Sequence, residues 1–316
     1  IIFYRFSSDV GVRKMITKLT ELAEKAINSG KKTRIAVAVA EDNNTINAIL
    51  KATNNGFVSP ILIGNKDKIT ALLPADIDSN KLQIMNITDP AMAVKEAVRM
   101  VRNNEADVLM KGLVGTETFL KAVLDKEKGL LPPKAVMSYT CALEIPKCHK
   151  LLFVSDTAVL INPDLNQKIA MINYSVAMAR KFGIEKPKVA LISATEKVSS
   201  SMPETLEYSL LCKMAERGQI KNCLVDGPLD IFLACDPTSL SIKGIQSSLE
   251  GDADILIFPN LESANSFYKG LMLFGEGELA GLICGTTKPV IVMSRSESEN
   301  SKYYCIALSC LMAEGK

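Results

Sequence analysis

Polar and apolar positions along the chain switch repeatedly between a period near two and a period near 3.6 residues, as strands and amphipathic helices do when they follow one another. The stretch Met15-Ile-Thr-Lys-Leu-Thr-Glu-Leu-Ala-Glu-Lys-Ala26 has helical spacing, and Arg34-Ile-Ala-Val-Ala-Val-Ala40 is a strand-like run. Thr45 to Asn55 is again helical and closes on Gly56 as a C-cap. Pro60-Ile-Leu-Ile-Gly64 and Leu82-Gln-Ile-Met-Asn86 read as strands. Asp89 and Pro90 then supply an N-cap and a first-turn proline for a helix reaching Asn104, before a strand over 107–111. The second half keeps the alternation, with strands at 151–154, 188–193, 221–225, 254–258 and 289–293 and helices at 164–182, 203–217, 261–274 and 297–313. Such alternation predicts an α/β fold built from βαβ units, with mostly parallel sheets covered by helices on both faces.

Length and composition sharpen this. A chain of 316 residues, 47% apolar and 23% charged, has enough core for two domains. Met15 is the expected native start, which makes residues 1–14 an extension. The 37 basic and 35 acidic residues leave a net charge of +2, too small a field to hold nucleic acid or an anionic membrane, so an anionic ligand must be met locally. Apolar runs such as Leu151-Leu-Phe-Val154 fall far short of the roughly 18 residues of a membrane span, and the expectation is a soluble, cytoplasmic protein. Eight scattered cysteines with no Cys-x-x-Cys pairing read as reduced thiols, and Cys141, Cys148 and His149 fit no common zinc spacing. His149 is the only histidine, so chemistry based on paired imidazoles is excluded.

Four predicted strands end in residues suited to a ligand: Lys111-Gly112, Asp226-Gly227, Pro259-Asn260 and Ser294-Arg295. Ligands of open α/β sheets gather beyond the carboxyl ends of strands. In Pro289-Val-Ile-Val-Met-Ser-Arg-Ser-Glu-Ser-Glu-Asn-Ser-Lys302 a buried strand runs into a helix. The N–H groups at that helix start favour an anion, and Arg295 adds a planar fork for phosphate. Ser296 and Glu299 also match a capping box and so have a purely structural reading. Met110-Lys-Gly-Leu-Val-Gly-Thr-Glu-Thr118 gathers Lys111, Gly112 and Thr116 in a turn able to wrap an oxyanion, or simply to start a helix in solvent. Asn265 and Lys269 lie four apart, on one helical face that is either solvated or turned to a cleft. No P-loop and no Gly-x-Gly-x-x-Gly after a strand is present.

These segments resemble the phosphate acetyl/butyryltransferase family, and its butyryltransferases most. The resemblance spans nearly the whole chain and is carried by Ala38-Val-Ala-Glu-Asp42, Met110-Lys-Gly-Leu-Val114, Phe119-Leu-Lys-Ala-Val-Leu-Asp-Lys-Glu-Lys-Gly129, His149-Lys-Leu-Leu-Phe-Val154, Pro187-Lys-Val-Ala190, Lys213-Met-Ala-Glu-Arg-Gly-Gln-Ile220, Val225-Asp-Gly-Pro-Leu229, Gly251-Asp-Ala-Asp-Ile255 and the Ser294-Arg295 turn. It implies two three-layer α/β/α domains of isocitrate/isopropylmalate dehydrogenase-like architecture, with a cleft between them. Residues 1–140 plus 295–316 form the first and 141–294 the second, the carboxyl-terminal helix returning to the first. It implies direct acyl transfer between coenzyme A and inorganic phosphate, with butyryl favoured over acetyl and no metal or organic cofactor beyond coenzyme A as substrate. A homo-oligomer is expected, as is coupling to an acyl-phosphate kinase.

Carried over by residue, Ser294 matches the serine that hydrogen-bonds the thiol, and Arg295 the arginine that binds phosphate and developing charge. Lys111, Gly112, Thr116, Asp226, Gly227, Asn265, Lys269, Ser301 and Lys302 are expected around the substrates. Acetyltransferases of the family carry an aspartate as proposed base seven residues after the serine, where this chain has Ser301. Glu297 and Glu299 are the nearby alternatives. Phe232, in a segment where butyryltransferases have small polar residues, is expected to reshape the acyl pocket. Two competing readings are a decarboxylating dehydrogenase, which needs an aspartate metal cluster and a nucleotide site, and a coenzyme A-binding relative without turnover.

Overall fold

The computed structural model describes residues 15–294 and 297–313. In chain order the first half comprises α1 (Leu19–Asn28), β1 (Thr33–Ala38), α2 (Asn43–Asn54), β2 (Val58–Gly64), α3 (Lys66–Leu72), β3 (Gln83–Asn86), α4 (Pro90–Arg102), β4 (Val108–Lys111), α5 (Thr116–Val123) and β5 (Ser138–Glu144). Then follow β6 (Leu152–Ser155), α6 (Leu165–Lys181), β7 (Lys188–Ile192), α7 (Pro203–Glu216), β8 (Leu224–Leu229), α8 (Ile231–Cys235), α9 (Pro237–Lys243), β9 (Ile255–Ile257), α10 (Leu261–Phe274), β10 (Glu278–Cys284), β11 (Val290–Ile291) and α11 (Glu299–Ala313). Helix starts follow local chemistry. Asp42, Asp89 and Asp164 precede α2, α4 and α6, and each accepts a backbone N–H of the first turn.

Among the described residues one sheet runs in the order β3-β2-β1-β4-β11-β10-β5-β6-β9-β7-β8. Most neighbours are parallel, and β4, β6 and β9 are buried along their whole length, as is β1 from Ile35 onward, which suits strands covered on both faces. Three consecutive junctions, β11–β10, β10–β5 and β5–β6, are antiparallel. An odd number of reversals makes β6, β9, β7 and β8 run opposite to β1, β2, β4 and β11. Helix α11 packs on β10 and against α1 and α2.

The strands at the reversal, β5 and β10, lack a period-two pattern and are absent from the expected elements. Both are buried on both faces. In β5 the polar Ser138 and Thr140 are buried beside the hydroxyls of Ser155 and Ser175. In β10 the central Gly281 is dictated by Tyr139: a Cβ there would lie 2.3 Å from the Tyr139 hydroxyl. The expected domain boundary between residues 140 and 141 falls inside β5, and the sheet runs on through it. The strand expected at 221–225 is shifted to β8, so Asp226 and Gly227 lie within it and not beyond its end. No disulfide joins the eight cysteines. Among the described residues no helix is long and apolar enough to cross a membrane, and no group of three His, Cys, Asp or Glu residues is placed to hold a metal.

Candidate active site

Strand β11 sits between β4 and β10, and its carboxyl end leads to Ser294. Arg295 and the capping-box residue Ser296 lie outside the described residues. The Glu297 carboxylate folds back on the strand end: Oε2 accepts the Ser294 N–H at 2.9 Å. Ser298, not Ser296, caps α11, its Oγ accepting the Ser301 N–H at 2.9 Å. Glu299 is thereby the first helical residue and not the third one that a capping box requires.

Helix α10 completes the cluster. It starts at the carboxyl end of β9, and its 14 residues span about 21 Å at 1.5 Å each. That length carries it past the end of β6, where the Asn265 amide donates to the Thr157 carbonyl at 2.9 Å, toward the Ser294 turn. There the Tyr268 hydroxyl donates to Glu297 Oε1 at 3.3 Å. Lys269 follows, with Nζ 5.6 Å from the Tyr268 ring centroid. From α11, Lys302 is buried and its Nζ donates to the Glu297 carbonyl at 3.1 Å.

Glu297 is thus the hub of the turn. Burial pushes its carboxyl above the ordinary carboxylate range, opposed by the Ser294 N–H, the Tyr268 hydroxyl and the positive charges of Lys269 and Lys302. Burial, with Glu297 as the next cause, pushes the Tyr268 phenol upward, so it stays a proton donor. Tyr268 lies one residue from the Asn265/Lys269 pair that spacing singled out. It went unread because a tyrosine on an apolar helix stripe carries no separate signal.

On the next strand, β4, Met110 pairs with Ile291 of β11, which leaves Lys111 and Ser294 one and three residues beyond that pair. Lys111 is buried, its ammonium bracing its own turn through the carbonyls of Gly112 (3.3 Å) and Val114 (3.1 Å). Gly112 presses on the end of β1: a Cβ there would lie 2.2 Å from the Val39 carbonyl oxygen. Val39 itself is held at φ 58°, a strained conformation for a β-branched residue, and neither Val39 nor its contact was anticipated. Thr116 opens α5 and is exposed.

Three expectations are corrected. Ser301 is not turned to a substrate. It is fully buried, and its hydroxyl accepts the Leu279 N–H at 3.0 Å and donates to Glu278, tying α11 to β10. Asp226 and Gly227 lie on β8, separated from β11 by five strands, or about 29 Å at 4.8 Å per step. Asp226 accepts the Gly227 N–H at 2.8 Å and the Ser247 hydroxyl at 2.7 Å, a local structural role. Phe232, on α8 just past β8, is 71% exposed and equally remote, so it shapes no pocket at Ser294.

The chain matches the family model for phosphate acetyl/butaryl transferase over residues 15–96 and 91–310. It belongs to this family. It is 40% identical over 303 residues to the phosphate butyryltransferase of Clostridium acetobutylicum, covering 96% of this chain and all of that one. It is 39% identical over 295 residues to the phosphate acetyltransferase of Thermotoga maritima, covering 93% of this chain and 99% of the relative. Among solved structures, a branched-chain phosphotransacylase from Enterococcus faecalis superposes with a TM-score of 0.78 at 27% identity, over 89% of this chain and 99% of that one. Identity to the butyryl enzyme is marginally ahead of identity to the acetyl enzyme.

Proposed function

We propose that the protein transfers a short acyl group between coenzyme A and inorganic phosphate, acyl-CoA + phosphate = acyl phosphate + CoA, with butyryl favoured over acetyl. Membership of the family over nearly the whole described chain carries this reading. The chemistry is a direct displacement at an acyl carbonyl. In one direction the thiol sulfur attacks the carbonyl carbon of an acyl phosphate, and the carbon–oxygen bond to phosphate breaks. In the other a phosphate oxygen attacks the thioester, and the carbon–sulfur bond breaks. Thiol and phosphate supply the nucleophiles, and the protein supplies position and charge.

In this reading Ser294 hydrogen-bonds the thiol, and Arg295 holds phosphate and the charge that builds on the carbonyl oxygen, a contribution commonly worth about 3 kcal/mol for one positioned donor. Lys269 and Lys302 bring positive charge to the same turn, in keeping with two anionic substrates. Lys111 and Gly112 shape the neighbouring turn, with Thr116 at the first turn of α5, and Asn265 anchors α10. A cytoplasmic setting, a homo-oligomer and coupling to an acyl-phosphate kinase go with the proposal.

The test follows free-thiol release from acetyl-, propionyl-, butyryl- and branched-chain acyl-CoA with and without phosphate. Phosphate-dependent release, fastest with butyryl-CoA, is expected. Binding of coenzyme A without turnover on any chain would replace this reading with that of a binding protein.

A further inference from the structure

A thiol must lose its proton to attack an acyl phosphate, and at neutral pH an ordinary thiol, with a pKa of about 8.5, is mostly protonated. A nearby acceptor is therefore needed. Ser301, seven residues beyond Ser294, has no acid–base chemistry to offer and is buried with its hydroxyl engaged by Leu279 and Glu278. Glu299 is the first residue of α11, and no contact ties it to the Ser294 turn among the described residues. Glu297 differs from both. Its carboxylate contacts the Ser294 backbone, and each of its oxygens accepts one hydrogen bond, from Ser294 N–H and from Tyr268. A carboxylate oxygen has two lone pairs, so each keeps one for an incoming proton.

Resting on the proposed acyl transfer, we infer that Glu297 is the proton carrier of the reaction and that Tyr268 is its positioning residue. As sulfur attacks the acyl carbon, the thiol proton passes to Glu297. As the carbon–oxygen bond breaks, the departing phosphate takes the electron pair, and Glu297 returns the proton to it. The carboxylate is ionised at the start and at the end. In the reverse direction the proton of hydrogen phosphate travels to Glu297 and then to the leaving thiolate. One group thus serves both directions with no net uptake of protons.

The surroundings fit a carrier. Glu297 faces Tyr268 and Lys269 from α10, Lys302 and Cys305 from α11, and Tyr139 and Cys141 from β5. The two thiols and two phenols are all pushed upward by burial and stay neutral, so among these described residues the charges acting on it are those of the two lysines. Burial raises its proton affinity, while the lysines and the Tyr268 hydroxyl keep the ionised form within reach.

The experiment measures kcat and KM against pH in the acyl phosphate plus coenzyme A direction, where no inorganic phosphate substrate titrates, for wild type, Glu297→Gln and Tyr268→Phe. Because Glu297 must be ionised and its affinity for protons is raised, wild-type kcat falls on an acid limb lying above the ordinary carboxylate range. Glu297→Gln should lower kcat by about 10²-fold with KM for coenzyme A changed little, and should abolish that limb. Tyr268→Phe removes a donor to the ionised form, so it should keep most of the activity while its acid limb moves to higher pH. A Glu297→Gln enzyme within about threefold of wild-type kcat, or one that keeps the wild-type limb, overturns the inference while leaving acyl transfer intact. An unmoved limb in Tyr268→Phe overturns the role of Tyr268. Wild-type protein that transfers no acyl group overturns the functional reading itself.

Discussion

The turn after β11 and the middle of β8 carry the same kinds of residue, small, polar and next to glycine or serine, yet the fold uses them differently. Around Ser294 the polar groups reach across elements: Glu297 folds back on the strand end, Tyr268 arrives from α10, and Lys302 from α11. On β8, Asp226 turns to its own neighbour Gly227 and to Ser247. At Glu297 burial raises proton affinity while partners from other elements oppose the rise, whereas the local partners of Asp226 only fasten a strand to a loop. The difference originates in the three antiparallel junctions, which send the carboxyl ends of β6, β9, β7 and β8 to the opposite edge of the sheet from that of β11.

Substitutions on the two sides should behave in opposite ways. Arg295→Ala is expected to have the largest effect, a loss of about 10²-fold in kcat/KM for lost charge stabilisation, with the thermal midpoint nearly unchanged. A collapse of folding would make it a structural residue instead. Ser301→Ala leaves the buried Leu279 N–H without its acceptor and should cost about 2 kcal/mol in a denaturant titration, with acyl transfer retained. A selective loss of turnover at full stability would return Ser301 to the substrate site. Asp226→Ala should cost about 1 kcal/mol of stability and leave kcat as it was, because its two bonds are local. A rise in KM for coenzyme A would show that the β8 edge does meet substrate. Smallest of all, Phe232→Ser should leave the order of preference among acyl-CoA chains unchanged, and a shift toward longer chains would contradict its remoteness.

Much of this was legible locally. The N-cap Asp89, the helix that follows Asn260 and the strand-to-helix turn at Ser294 are written in neighbouring residues, and local chemistry is what periodicity and capping report. The misreadings share one cause. Asp226, Gly227 and Ser301 are residues of the right type, but Asp226 is engaged by the next residue and a loop serine and Ser301 by β10, which spacing along the chain does not reveal. Strands β5 and β10 were invisible because burial on both faces erases alternation, and Gly281 weakens the strand pattern for the sake of Tyr139.

Sequence alone determined that this is an α/β chain of the acyltransferase family, and that Ser294 follows a strand and precedes a helix. It could do so because composition, period and motif are properties of contiguous residues. Tertiary structure decided which strand ends share an edge, since that depends on the polarity of β5 and β10. It also decided that Glu297, held by Ser294 and Tyr268, is the carboxylate at the turn while Ser301 is an internal brace. Proton affinity depends on burial and on charges that arrive from other elements, and only the folded chain brings those together.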